Sequence, residues 1–258
     1  MKDTLVLVDV TEANLESMPC CGVKNAAHVG RIQKDCWMRK YLKKGLRARV
    51  LVTPDGRQCG YIEYLPGEYA WRGVVAAGYL FIHCIWTFYK KYQHKGFASR
   101  MVEECVEEAR KSKLNGVAVV ARDGPWLASA ALFLENGFEV VDTAAPDYEL
   151  LVRKLKLDAP NPRFQGGWES KAKRYGRGLT IITANQCPHA VKFAREIREA
   201  AESEFGLKPR MVEIRNHKQA QNGPTPYGVF AIIHDGRVLA DHQVSRTRFR
   251  NIMKKLPA

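Results

Sequence analysis

QHKGFA, at Gln93–Ala98, joins a strand-like apolar run to an amphipathic helix. The pattern predicts a strand over Tyr79–Phe88 and a helix from about Ala98 to Lys113. One face of this helix carries apolar residues at helical spacing, namely Met101, Val102, Cys105, Val106 and Ala109. A strand, a glycine loop and a helix in this order can form a phosphate-binding site, because free backbone N–H groups and the positive end of the helix dipole face the anion. An ordinary turn, in which Gly96 only satisfies a backbone angle, has the same local pattern.

The loop resembles the acetyl-CoA loop of the GNAT N-acetyltransferases at Gln93, Gly96 and Ala98. Ala130–Phe138 resembles the second signature of that family, an alanine-rich helix that ends in Gly-Phe. The resemblance implies an α/β chain with the GNAT acyl-CoA N-acyltransferase fold over residues 1–155, and acetyl-CoA as co-substrate. The residues that it implies at the cofactor are Trp86, Phe88, Gln93, His94, Lys95, Gly96, Phe97, Ala98 and Asn136.

The composition indicates a soluble globular protein, with 46% hydrophobic and 26% charged residues among 258. No apolar run reaches the roughly 18 residues of a membrane span. Seven cysteines without paired spacing favour a reducing, cytoplasmic location. The net charge of +14 is spread along the chain. We therefore favour a basic face for the cofactor's phosphates over a nucleic-acid partner.

The rest of the first half reads as mixed strands and helices. Strands are predicted near Thr4–Val10 and at Arg47–Thr53, Gln58–Tyr64, Val117–Ala121, Glu139–Asp142 and Tyr148–Lys154. A helix is predicted over residues 26–44, with Val29, Ile32, Cys36, Trp37 and Tyr41 as its apolar residues. A shorter helix, Leu127–Asn136, stops at Gly137 as helix ends often do.

Residues 156–178 read as a linker, because prolines and glycines interrupt any periodicity. Residues 179–258 then resemble a smaller α/β domain with the thioredoxin fold. In this resemblance Cys187 stands at the position of the active cysteine, and Thr225-Pro226 at the position of the cis-proline. Position 190 is alanine where a second active cysteine would stand, which argues against a dithiol oxidoreductase. A GNAT domain followed by such a domain resembles the YoaP-type acetyltransferases.

Acetyl transfer to an amine needs a general base within reach of the nucleophile. Glu63, His83 and Cys84 are the candidates on the central strands, and His83 has the most suitable ordinary pKa. A histidine inside an apolar strand is more often a satisfied core residue. Many GNAT members have a tyrosine as general acid where this chain has Phe133. Tyr148 is the substitute that we consider.

Cysteines offer a second kind of chemistry. Cys20-Cys21, after Pro19, lie ahead of the first long helix, and with Cys36 they suggest a soft-metal or redox site. Their spacing does not support a zinc site, so we predict no metal. The thioredoxin resemblance implies that Cys187 lies at a helix N-terminus, where the dipole would lower its pKa. Buried, idle thiols remain the alternative.

The GNAT resemblance implies an acetyl-CoA-dependent N-acetyltransferase acting on a primary amine of a small molecule or peptide by direct attack. The alternative is an acyl-CoA-binding sensor or a thiol- or metal-handling protein that uses Cys187 and Cys20-Cys21. The variable loops around residues 11–30 and 65–78 are expected to shape the acceptor site, with the aromatic residues Tyr64, Tyr69 and Trp71 beside it. No membrane partner is predicted, and the oligomeric state stays open, a dimer included.

Overall fold

The computed structural model describes residues 5–18 and 20–256. Thr4 and Pro19, named above, lie outside the described residues, as does the side chain of Cys20. The described strands are β1 (Val6–Asp9), β2 (Arg47–Val52), β3 (Gln58–Pro66), β4 (Val74–Val75), β5 (Tyr79–Thr87), β6 (Gly116–Ala121), β7 (Glu139–Ala144), β8 (Tyr148–Lys154), β9 (Arg163–Phe164), β10 (Leu179–Ala184), β11 (Arg210–Ile214), β12 (Ala231–His234) and β13 (Arg237–Ala240). The helices are α1 (Val29–Leu42), α2 (Phe97–Lys111), α3 (Ala130–Leu134), α4 (Trp168–Lys173), α5 (Ala190–Phe205), α6 (His217–Gln221) and α7 (Arg246–Met253).

A seven-stranded sheet forms the first half, in the order β1-β2-β3-β5-β6-β8-β7. Only β5 and β6 run parallel among its described pairs. Their register begins at Tyr79–Gly116 and ends at Ile82–Val119, although β5 continues to Thr87. The second half of β5 stays paired with β3 on its other edge. The two parallel strands therefore part at the centre of the sheet.

Helix α2 packs on this sheet as its sequence predicts. Met101, Val102, Cys105, Val106 and Ala109 are all buried. These apolar residues pack into one cluster with residues of β3, β5 and β6. Because the helix begins directly after Gly96, this packing fixes the loop at the carboxyl end of β5.

Helix α1 buries a polar face. The helix is present where the sequence predicts it, but Ile32 is 51% exposed whereas Arg31 and Lys34 are buried. Arg31 Nε donates to both carboxylate oxygens of Asp35, at 2.9 and 2.7 Å, and Lys34 pairs with Glu63 of β3. Ion pairs replace apolar contacts in the first half of this helix, whereas Trp37 and Tyr41 are buried in its second half. The apolar periodicity therefore marks the buried side only in the second half.

A four-stranded sheet, β11-β10-β12-β13, forms the second half, with α5 packed on β10 and α7 packed against α5. Strands β10 and β11 are parallel and the other pairs are antiparallel. The expectation of a cis-proline at Pro226 is wrong. Among the described residues, the cis peptide bond is the one that precedes Pro146.

The segment predicted as a linker has structure of its own. Strand β9 pairs with β4, and helix α4 follows it. Gln165 N–H donates to the carbonyl of Gly73 at 2.8 Å, and the Tyr79 hydroxyl donates to the carbonyl of Pro160 at 2.9 Å. Phe164 is buried in the shared core. Prolines and glycines suggested an irregular linker, but the buried Phe164 between them attaches the segment to the core.

Both halves contribute to one hydrophobic core cluster. At the junction, α1 lies so close to the loop before α5 that a Cβ on Gly30 would sit 1.8 Å from the carbonyl oxygen of Pro188. Gly73 N–H also donates to the carbonyl of Pro226 at 3.0 Å. The two halves are therefore packed as one body. None of the described helices has both the length and the apolar character of a membrane span.

Candidate functional site

The loop before α2 presents an open helix N-terminus. Gly96 is the N-cap, with the left-handed angles φ 78° and ψ 0°, and no side chain caps it among the described residues. The first backbone N–H groups of a helix have no partner within the helix. A Cβ on Gly96 would meet no described atom within 4 Å, so the space beside the N-cap residue is open. The helical hydrogen-bond pattern begins with Arg100 N–H, which donates to Gly96 O at 2.9 Å.

Gln93 and Asn136 brace this loop. The Gln93 amide donates from Nε2 to the carbonyl of Thr87 at 3.2 Å, which ties the loop to the end of β5. Asn136 Nδ2 donates to Ser99 Oγ at 3.1 Å, in the first turn of α2. The structure therefore places Asn136 next to the first turn of α2, and its contact with a cofactor stays a prediction. Both side-chain amides therefore donate hydrogen bonds to groups of the protein itself.

The gap between β5 and β6 contains a small cavity of about 30 Å³. Its wall includes His83, Cys84 and Ile85 from β5, Val119 and Val120 from β6, and Phe133 from α3. Phe133 is fully buried and packs edge-on against Phe138, with ring centroids 5.5 Å apart. On the outer part of the strand, Trp86 is 48% exposed and packs against Phe88.

A larger cavity of about 500 Å³ lies at the junction of the two halves. The first half supplies Cys21, Arg72, His83, Cys84, Ile85, Trp86, Gly124, Pro125, Trp126 and Leu127, and the second half supplies Gln186, Cys187, His189 and Tyr227. His83 and Cys84 line both cavities, so the two spaces meet at the middle of β5.

His83 is held as a neutral ring. The backbone N–H of Trp71 donates to His83 Nε2 at 2.8 Å, so this nitrogen carries no proton and Nδ1 does. Burial, together with the charges of Arg72 and Lys34, holds the pKa of His83 well below its ordinary value. Nδ1 is buried and has no partner among the described residues. In this tautomer the ring is a hydrogen-bond donor.

Glu63 is fully buried and accepts from three side chains. Lys34 Nζ lies 2.6 Å from Oε2, the Tyr61 hydroxyl donates to the same oxygen at 2.5 Å, and Gln186 Nε2 donates to Oε1 at 2.7 Å. Since a carboxylate accepts only, the amide of Gln186 must turn its NH₂ toward Glu63. Its Oε1 is then the buried atom left without a partner in the described part of the chain.

Three thiols converge on the junction cavity, from three distant segments. A hydrogen bond with Cys84 and burial raise the pKa of Cys21 well above its ordinary value. Burial raises the pKa of Cys187 to about 11. The expected lowering at a helix N-terminus is thus wrong, because burial of the thiol outweighs the backbone hydrogen bond that favours thiolate. Cys36 is exposed, and no group of three or more metal-binding side chains among the described residues is arranged for a metal ion.

Tyr148 lies outside both cavities. Its hydroxyl accepts from Arg122 Nη1 at 3.1 Å, and the same nitrogen reaches Asp241 Oδ1 at 3.0 Å across the junction. Burial raises the pKa of Tyr148. The residue therefore belongs to a contact between the two halves.

Sequence reasoning missed most of the lining of the junction cavity, including Arg72, Gln186, His189 and Tyr227. His189 is partly buried, and burial lowers its pKa. No pattern within one sequence signals these residues, because the fold brings them to the cavity from both halves.

Comparisons with known proteins give one relative over nearly the whole chain. The chain is 26% identical over 253 residues to "Uncharacterized N-acetyltransferase YoaP" of Bacillus subtilis (strain 168), which covers 96% of this chain and 98% of the relative. Residues 210–251, from β11 into α7, match the family described as YoaP-like.

Solved structures give more distant likenesses. An N-acetyltransferase, PaiA, of Thermoplasma acidophilum in complex with coenzyme A is 13% identical, with a TM-score of 0.42, and covers 58% of this chain and 99% of that one. A ribosomal-protein-alanine N-acetyltransferase of Brucella melitensis is 19% identical, with a TM-score of 0.42 and coverage of 58% and 99%.

Proposed function

We propose that this chain is an N-acetyltransferase that transfers the acetyl group of acetyl-CoA to a primary amine by direct attack. The observation that carries the proposal is the open N-terminus of α2 at Gly96, at the end of the strand that parts from β6. The near-full-length relative from Bacillus subtilis, named an N-acetyltransferase, supports the same activity. No described arrangement favours a metal-handling role.

Acetyl-CoA fits these features as co-substrate. Its pyrophosphate would be held by backbone N–H groups of His94–Ala98, where Gly96 leaves open space and the helix dipole favours an anion. Its pantetheine arm would pair with the backbone of β5 beyond Ile82, whose edge toward β6 is free of ladder pairing. This path leads the thioester to the cavity that contains Cys84 and Phe133.

In the transfer, the amine nitrogen bonds to the acetyl carbon, the carbon–sulfur bond breaks, and the proton lost by the amine ends on the CoA sulfur. Of the candidate residues, His83 and Cys84 line both cavities. Since Nε2 of His83 accepts from Trp71, we assign His83 the role of a donor from Nδ1 to the acetyl oxygen, where negative charge develops. Glu63 is engaged by three donors and serves to position them.

The second half, in this proposal, is a thioredoxin-like domain that completes the acceptor side of the site. Its strand order, with one parallel and two antiparallel pairs, supports this assignment. The raised pKa of Cys187 and the alanine at position 190 argue for a binding role without dithiol chemistry. The acceptor is a small-molecule or peptide amine, and a cytoplasmic location remains our prediction from the cysteine content.

Calorimetric titration with acetyl-CoA, and in parallel with CoA, tests the proposal. We expect binding of both in the micromolar range, and release of CoA thiol when an amine is added. Failure of acetyl-CoA to bind would refute the proposal. Binding with neither hydrolysis nor transfer to any amine would instead indicate an acyl-CoA sensor.

A further inference from the structure

We propose that the junction cavity is the acceptor site, that Gln186 accepts a hydrogen bond from the reacting amine, and that the site takes apolar monoamines. This inference rests on the proposed acetyltransferase function and adds to it the substrate class and a residue from the second half of the chain. It starts from two buried polar atoms beside the cavity that lack partners in the described structure, Gln186 Oε1 and His83 Nδ1.

Gln186 has a fixed orientation. Its Nε2 lies 2.7 Å from Glu63 Oε1, and the ion pair of Glu63 with Lys34 holds that carboxylate in place. The amide cannot flip, because Oε1 would then face a carboxylate oxygen that has no proton to donate. A buried carbonyl oxygen without a partner costs free energy, so a donor that enters the neighbouring cavity is stabilised. An amine nucleophile brings N–H donors.

His83 has the complementary polarity. The ring carries its proton on Nδ1, because Nε2 accepts from the backbone of Trp71. A donor and an acceptor therefore stand beside the same space, one from each half of the chain. An acetyl oxygen suits the donor, and an amine N–H suits the acceptor. These are the two groups that meet when an amine attacks a thioester.

The wall of the cavity defines the rest of the acceptor. Aromatic and thiol side chains dominate it, with Trp86, Trp126 and Tyr227 among them. No carboxylate belongs to the described lining, and the guanidinium of Arg72 is buried in it. Among the described residues, the hydrogen bonds of Arg72 go to the backbone carbonyls of Trp71, Tyr227 and His83, which carry no charge to neutralise the guanidinium. A second cationic nitrogen would therefore be repelled, which disfavours polyamines.

The test compares two amines, 2-phenylethylamine and spermidine, at saturating acetyl-CoA, by release of CoA thiol. Wild-type protein should acetylate phenylethylamine with a kcat/KM at least tenfold above that for spermidine. Gln186→Leu should lower kcat/KM for phenylethylamine roughly tenfold or more, with the Kd for acetyl-CoA unchanged. Asn185→Leu is the matched control, because its neighbouring amide faces Glu213 outside the cavity, and it should keep wild-type rates.

A gain of function keeps the inference testable if Gln186→Leu does not fold. Pro125 is exposed at the edge of the cavity, so Pro125→Glu adds a carboxylate without burying it. This variant should raise the spermidine-to-phenylethylamine ratio of kcat/KM at least tenfold.

The outcomes separate this inference from the function on which it rests. Equal or faster acetylation of spermidine by the wild type, a Gln186→Leu rate within twofold of wild type, or an unchanged ratio in Pro125→Glu would each overturn it. Binding of acetyl-CoA without any calorimetric binding of phenylethylamine to the CoA complex would also overturn it, and would leave the acetyl-CoA site standing. Failure to bind acetyl-CoA would refute the proposed function itself.

Discussion

Lys34 of α1 and Glu63 of β3 form an ion pair that is fully buried, with Nζ 2.6 Å from Oε2. Taking two charges out of water is costly, so such a pair contributes less to stability than its distance suggests. Its role here is positional, since the same carboxylate fixes the amide of Gln186. The pair therefore connects a helix, the central sheet and the second half of the chain.

Removal of one partner of this pair should be strongly destabilising. Lys34→Met leaves the Glu63 carboxylate buried without its counter-charge, and we expect a loss of about 3 kcal/mol or more in the free energy of unfolding, measured in urea. Lys173→Met is the control, because Lys173 and Glu169 form an exposed pair, and it should leave the unfolding free energy nearly unchanged. A loss in Lys34→Met no larger than that in Lys173→Met would contradict the cost assigned to the unpaired Glu63 carboxylate.

Gly96→Glu should abolish acetyl-CoA binding. A side chain at this left-handed position is strained, and its negative charge occupies the open space in front of the helix N-terminus. Gly56→Glu is matched to it, because Gly56 also has a positive φ, 76°, and open space, but lies in the turn between β2 and β3. Calorimetry should show wild-type affinity for the Gly56 variant and no measurable affinity for the Gly96 variant. Retained binding by Gly96→Glu would remove the loop from the site.

Phe133→Tyr tests whether the thiolate leaves near α3. Phe133 lines the cavity between β5 and β6. A tyrosine hydroxyl at this position would supply the general acid that many GNAT members have and this chain lacks. We expect kcat for acetyl transfer to rise roughly tenfold, with the Kd for acetyl-CoA unchanged. Phe138→Tyr, which alters the neighbouring ring outside the cavity wall, should not raise kcat. Equal rates in both variants would place the thiolate elsewhere.

Asp241 should make the junction sensitive to acid. Burial alone would raise the pKa of this carboxyl, but the hydrogen bond from His242 and the charge of Arg122 hold it below its ordinary value. A depressed pKa in the folded state gives stability that is present above the ordinary value of about 3.9 and is lost as pH falls below it. The unfolding free energy of wild type should therefore exceed that of Asp241→Asn at pH 6.

The gap between wild type and Asp241→Asn should begin to close as the pH falls below about 4, and should be lost as the pH falls through the lowered folded-state pKa of Asp241. Unfolding of both proteins in urea at several pH values measures it. Asp158→Asn, at an exposed position, should follow the wild-type curve throughout. A gap that is constant with pH would show that Asp241 stabilises the junction by packing and not by charge.

Local patterns predicted the loop and α2, because each depends on neighbouring residues. The buried side of α1 was predictable only in part. Trp37 and Tyr41 are buried apolar residues, but Lys34 is buried in a pair with Glu63, 29 residues later. The pKa of Cys187 shows the same limit. Its helix position is a local feature, but its burial depends on Cys21 and other residues of the first half.

On the acceptor side of the site, some residues are recognisable from the sequence and others are not. Glu63, His83 and Cys84 can be selected from the sequence as general-base candidates, because they are titratable residues on predicted central strands. Gln186 gains its role only from a hydrogen bond that spans 123 residues. A single sequence carries no signal for such a contact, so the cavity emerged only from the fold.

The contact of Gly30 with Pro188 has a consequence for biosynthesis. Helix α1 is made early, but the surface that covers its N-terminal end is not translated until about 160 residues later, as the two positions show. During that interval the nascent first half exposes the face that the second half will cover. The N-terminal end of α1 thus stays exposed to solvent until the loop that contains Pro188 has been synthesised and can pack against it.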